Sequence, residues 1–263
     1  MAYGLIHMPL VLKLGSNNIA VTDKLTINIL GFVQHTEAVA TADIQTIVVD
    51  PDHRGQGIAR DLLDRLLPLY GQIFQRLADL GVEWVQIDEP ILVLDLPQDW
   101  KNAFERAYNL IQRDPLKKLV ATYFGGLEEN LGLAANLPVD GLHIDLVRAP
   151  EQYPTILDRL PAYKVLSLGV VNGRNVWRCD LENALATLQH AHEKLGDRLW
   201  VAPSCSLLHS PVDLGREDQL DAELKSWLAF AVQKCAEVAV LTQAVNQPQA
   251  PNVLAALTES CAV

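Results

Sequence analysis

The chain has 263 residues, 49% hydrophobic and 20% charged, a balance that supports a buried core and excludes an intrinsically disordered chain. A net charge of −11 repels phosphate backbones and excludes nucleic acid as the main partner. No apolar run reaches the roughly eighteen residues that a membrane span needs, so no membrane partner is expected.

At the N-terminal end, LTINILGFVQHTEAVATADIQTIVVD (25–50) reads as two or three strands separated by polar turns. The next stretch, PDHRGQGIARDLLDRLLPLYGQIFQRLADLG (51–81), reads as a loop and a long helix. Arg54, Gly55, Gln56, Gly57, Ile58 and Ala59 sit between strand and helix. Glycines there let backbone approach a ligand closely, and the N–H groups of a helix start attract phosphate. A plain strand–turn–helix connection uses glycine in the same way.

Past residue 80 the texture changes. VEWVQID (82–88), KLVATYF (118–124), GLHIDLV (141–147), YKVLSLGVV (163–171) and LWVAPSC (199–205) read as strands, nearly continuous in hydrophobicity as strands buried on both faces are. Helical stretches lie between them at 98–113, 125–136, 151–160 and 180–196. A long one follows at 217–244, with a stripe of Leu220, Leu224, Trp227, Leu228, Val232 and Val238. The strand-to-strand step is roughly 25–35 residues, the span of a right-handed βα unit. Five units in a row predict an α/β fold: a partial or hybrid (βα)8 TIM-type barrel with parallel strands, or an open doubly wound sheet. Five strands do not close an eight-stranded barrel, so the first 60 residues or another chain must supply the rest. The tail, 250–263, is briefly helical.

In a parallel barrel the chemistry sits where strands end. Those ends carry Asp88 and Glu89, Thr122 and Tyr123, His143 and Asp145, Asn172, Arg174 and Asn175, and Ser204, Cys205, Ser206 and His209. Loops are polar in any protein, and Asp or Asn there also caps helices. The adjacent carboxylates of Asp88 and Glu89 could hold an ammonium group or position a base, with side-chain alternation sending one inward, taken as Asp88, and the other toward the helices. His143, Asp145, Cys205 and His209 lack the paired spacing of a zinc site, so no metal is expected. His190 and His192 fall on a helix and read as solvated. The four cysteines (Cys179, Cys205, Cys235, Cys261) show no CxxC, and the start has no basic n-region, which points to reduced thiols in the cytoplasm.

Six stretches occur in one family's order and spacing: GVEWVQIDEPILVLDLP (81–97), ATYFGGLEENL (121–131), LPVDGLHIDLVRAPEQ (137–152), NGRNVWRCDL (172–181), LWVAPSCSLLHSPVDL (199–214) and LDAELKSWLAFAVQKC (220–235). On these residues the chain, over about 62–249, resembles cobalamin-independent methionine synthase, a methyltransferase of methionine biosynthesis. The NGRNVW and SCSLLHSP stretches resemble the N-terminal of that family's two barrels, which helps hold polyglutamylated folate; the other barrel holds zinc and homocysteine. The resemblance carries few site residues across. Where the catalytic barrel has a His-x-Cys pair, this chain reads Thr122 to Gly126. The glutamate ligand of the family falls at Asp145, its catalytic histidine near Arg174, and a second homocysteine-site glutamate near Leu94. Cys205 matches a zinc-ligand position, and Asp88 matches the aspartate that binds the homocysteine amino group. The resemblance therefore implies candidates Asp88, Asp145, Arg174 and Cys205 at a barrel mouth that could take a small-molecule ligand. It also implies no cofactor bound by this chain, with zinc and folate belonging to the family only, and no methyl transfer by the chain alone.

Residues 29–67, ILGFVQHTEAVATADIQTIVVDPDHRGQGIARDLLDRLL, instead resemble the acetyl-CoA-binding core of a GCN5-related N-acetyltransferase, in which the loop matching Arg54 to Ala59 wraps the CoA pyrophosphate. The expected organisation is an acetyltransferase-like segment at 1–61 packed onto the barrel, a barrel-like domain at 62–249 and a tail, as in a fusion of two truncated genes. IQTIVVD, the helix at 57–80 and VEWVQID would form one βαβ unit. Isothermal titration with acetyl-CoA tests the loop: saturable heat supports the CoA-binding reading, and no heat at high micromolar ligand removes it. An open parallel sheet edge is association-prone, so size-exclusion chromatography is expected to give a dimer or larger, and a clean monomer counts against that reading.

Overall fold

The computed structural model describes the backbone of residues 8–10, 25–32, 41–49 and 58–261, and the side chains of 66–260. The chain divides into two compact units, one of residues 1–122 with 129–141, the other of 123–128 with 142–263.

In the first unit, strands β1 (Met8–Leu10), β2 (Leu25–Phe32) and β3 (Thr41–Val49) form an antiparallel sheet in the order β1-β3-β2. β2 runs against β3 from Leu25↔Val49 to Phe32↔Thr41, with an irregularity between Ile27 and Ile29. β1 takes the other edge of β3, Met8 opposite Ile44. Two sequence expectations are corrected here. IQTIVVD does not share a parallel βαβ unit with VEWVQID, and the strands described within the first 60 residues do not extend the parallel sheet. Both hydrogen-bonding edges of β3 are occupied by antiparallel neighbours, leaving none for a parallel partner. The loop of Arg54, Gly55, Gln56 and Gly57 lies outside the described residues, as do the side chains of Ile58 and Ala59, which open helix α1 (Ile58–Asp79).

Helix α1 buries Leu67, Tyr70 and Phe74, a stripe at i, i+3 and i+7, and ends where Gly81 takes φ +83°. The amides of Gly81 and Val82 bond back to Ala78 and Leu77, which closes the helix and turns the chain toward β4 (Trp84–Asp88). A 3-10 turn at Pro90–Val93 leads to α2 (Gln98–Ile111), which buries Phe104, Tyr108 and Ile111. β5 (Lys117–Ala121) pairs in parallel with β4, Trp84 opposite Lys117 and Asp88 opposite Ala121. Helix α3 (Leu131–Asn136) and strand β6 (Gly141–Asp145) follow, and every residue of β6 is buried.

The second unit continues through α4 (Tyr153–Arg159), β7 (Val165–Val171), α5 (Leu181–Leu195) and β8 (Leu199–Pro203). The parallel sheet has the order β4-β5-β6-β7-β8. A doubly wound sheet reverses direction at a switch point; an unreversed run of βα units is the winding of a (βα)8 barrel, here with five strands among the described residues.

The long helix read at 217–244 is two helices, α6 (Ala222–Trp227) and α7 (Ala231–Asn246). Leu228 and Phe230 leave helical geometry, with Leu228 at ψ 148°. Tertiary pairing wins over the helical stripe: Arg178 N bonds to Trp227 O, Ala229 N to Val176 O, and Trp177 bridges Leu228 in antiparallel fashion. Leu228 and Phe230 thereby enter a cluster with Leu214. The tail forms helix α8 (Pro251–Cys261), which buries Val253 and sets Ser260 Oγ to donate to Cys179 O at 3.4 Å.

Candidate functional site

Asp145, Arg174, Cys205 and His209, four of the sequence-predicted candidates, lie together in the second unit, at the strand ends. Asp145 closes β6 and is 1% exposed. Its Oδ1 accepts from Val147 N and Arg148 N at 3.0 and 2.9 Å, and its Oδ2 accepts from Phe124 N at 3.1 Å. One carboxylate thus ties its own turn to the TYFGG loop. The result is a strained backbone: Phe124 sits at φ +78°, where a bulky residue is rarely found. The strain presents the Phe124 ring to two partners. The Arg174 guanidinium lies 4.5 Å from the ring centroid, and His209 packs edge-on at 5.4 Å.

Cys205, just past β8, is buried. Burial pushes its thiol up, opposed by the Ser204 hydrogen bond; Asp145 adds to the rise, while Arg174 and Arg148 oppose it. The thiol is the neutral form at neutral pH. Gly173 lies hard against it: a Cβ there would stand 2.8 Å from Cys205 O and 2.9 Å from Sγ, so only glycine lets the Arg174 loop pass. His143, inside β6, is a core residue. Ser204 O can only accept, so Nε2 carries the proton toward it at 3.3 Å, and Nδ1 receives the Ser167 hydroxyl at 2.9 Å.

Asp88 and Glu89 belong to the first unit. Asp88 is partly exposed and accepts from Gln86 Nε2 at 2.7 Å, on the strand face opposite buried Ile87. Glu89 is fully buried and accepts from Tyr108 of α2, so it is neither solvated nor at the open end. Thr122, the residue after β5, is buried, and Tyr123 opens the second unit, packed edge-on against Phe124 at 4.7 Å. Asn172 Oδ1 accepts from Arg174 N, and Ser206 Oγ caps the following turn by accepting from Leu208 N. On α5, His190 is exposed, as read from the sequence, and its Nδ1 lies 2.8 Å from Tyr153 OH.

The sequence reading missed Phe124, Lys234 and Glu237. Lys234 of α7 is 0% exposed, and its Nζ donates to Asn175 Oδ1 and Trp177 O at 3.0 and 2.9 Å. Burial lowers its pKa, with Glu237 and Cys179 opposing. Glu237 Oε1 accepts from Cys179 N at 2.9 Å, and Arg178 pairs with Glu259 of α8. Together these groups hold the 172–179 loop that carries Arg174. The one sequence signal was a lysine within a run of small and apolar helix residues, AVQKCAEVAV.

An unreversed series of βα units with polar groups gathered at the strand ends defines a (βα)-barrel domain of the kind that builds small-molecule sites there. The chain belongs to the cobalamin-independent synthase, N-terminal domain family, whose model matches residues 43–196. Among solved structures it is similar to a Listeria monocytogenes protein assigned as vitamin-B12-independent methionine synthase, with 18% identity over 73% of this chain and 56% of that one, TM-score 0.48. It is also similar to a B12-independent methionine synthase from Shewanella sp. W3-18-1, solved in complex with selenomethionine, with 16% identity over 70% of this chain and 54% of that one, TM-score 0.49. The chain spans little more than half the length of either.

Replacing Lys234 by Met leaves the part-buried Asn175 Oδ1 and Trp177 O without their lysine donor. The expected loss is about 2–4 kcal/mol in denaturant melts, with faster amide exchange at 176–178. A melt unchanged within about 0.5 kcal/mol would show that the clamp contributes nothing.

Proposed function

We propose that this chain is a methionine-synthase-type barrel module of the cytoplasm that does not transfer methyl groups alone. The family reaction, as the sequence resemblance implies it, moves a methyl group from 5-methyltetrahydrofolate triglutamate to homocysteine held on zinc. Zinc supplies a thiolate that stays nucleophilic at neutral pH, where a free thiol near pKa about 8.5 is mostly protonated. The donor set of this chain does not fit that ion. Zinc needs three or four converging nitrogen or sulfur-type donors, and among the described residues no group of three His, Cys, Asp or Glu side chains is so placed.

The observation that carries the reading is the state of the two donors at the strand ends. Asp145 spends its carboxylate on three backbone amides. Cys205 is a buried thiol pushed up by desolvation. What the mouth offers instead is a cation on an aromatic face, Arg174 over Phe124, which suits a carboxylate-bearing small molecule. No helix among the described residues is long and apolar enough to cross a membrane.

The purified chain, supplied with zinc, homocysteine and methylfolate triglutamate, is expected to form methionine no faster than buffer does. Zinc-dependent turnover abolished by Cys205→Ser would overturn the proposal.

A further inference from the structure

Glu89 follows β4 directly and is 0% exposed. Its Oε1 accepts from Tyr108 OH at 2.7 Å, while Oε2 is buried with no hydrogen-bond partner. Among the described residues, the titratable groups acting on it are Tyr108 from α2, Tyr70 from α1 and the preceding Asp88, two phenols and an acid, with no cation among them. Its backbone is fixed as well, Glu89 N bonding to Ala121 O at 2.8 Å and Leu92 N to Glu89 O at 3.1 Å. The main chain that carries the carboxyl is therefore held in place at the β4 end and in the turn that follows.

A carboxylate in this place would put full charge on an oxygen that faces no donor, next to another acid. A neutral carboxyl avoids both penalties and keeps the Tyr108 bond. We propose that Glu89 is held as a neutral carboxylic acid where α1, α2 and the end of β4 meet, and that its ionisation is a proton-linked release of these elements. Burial first, then the Asp88 charge, against the lowering bond from Tyr108, push the group from the ordinary 4.5 up to about 8. Burial and the Glu89 charge push Tyr70 up to about 12, and Tyr108 is raised well above the usual phenol range, so both phenols stay neutral across this window.

The sign follows from linkage. The folded value lies above the unfolded one, so the stability that Glu89 contributes is fully present below pH 4.5. It declines as pH rises and is gone above about 8. Across that window the unfolding constant climbs by up to about tenfold per pH unit.

Urea unfolding of the full chain, repeated at half-unit steps from acid to mildly alkaline pH, tests this with two variants. Glu89→Gln is expected to flatten the profile and to equal or exceed the parent at the alkaline end. Tyr108→Phe removes a donor that favours the carboxylate, so it is expected to move the midpoint upward. Difference infrared spectra at neutral pH should show a protonated-carboxyl stretch that Glu89→Gln lacks. If that variant does not fold, a shift of the parent's protonated-carboxyl band in Tyr108→Phe, which removes the one donor to Glu89, decides instead. The same pH slope in Glu89→Gln, a downward midpoint shift in Tyr108→Phe, or the absence of a protonated-carboxyl band overturns the proposal.

Discussion

One carboxylate, that of Asp145, holds three backbone amides from two loops, and the strand ends of the second unit are arranged around it. Because it pins Phe124 N, the TYFGG loop accepts a positive φ and turns its ring toward Arg174 and His209. At the position where the sequence resemblance places a metal-ligand glutamate, this carboxylate accepts three backbone amides. The same side chain therefore helps build the aromatic–cationic mouth.

Buried charge is treated differently in different places. Lys118 in the first unit donates to Asp114 O and Leu116 O and lies over the Phe74 ring. Lys234 in the second unit donates to Asn175 and Trp177. Both amines sit among carbonyl-type acceptors, so their burial is compensated. Glu89 has one donor and an orphan oxygen, so its compensation comes through the proton. The contrast marks which buried groups fasten the fold and which make it responsive.

Much of the parallel part was legible in the sequence, because near-continuous apolar runs at regular spacing leave little choice of element, and their polar closures name the strand ends. Asp88, Asp145, Arg174 and Cys205 were named as candidates that way; the last three lie in the second unit and Asp88 in the first. What was not legible depended on partners far along the chain. Residues 228–230 leave the helix because 176–178 offers backbone pairing. β3 joins an antiparallel sheet because β1 and β2 take both its edges, a competition that periodicity does not register. Phe124 was passed over because an aromatic residue near a strand end looks like core until its φ is known. Lys234 was passed over because its helix carries no charge contrast.

The strand order has a consequence for how the polypeptide acquires its shape. In β4-β5-β6-β7-β8 every strand lies beside the one synthesised just before it. A nascent chain leaving the ribosome can add each new strand to a template already in place, without waiting for a distant segment. Growth of this kind is directional and keeps one edge available at every stage, so a barrel of this winding can stop partway and still present a coherent layer.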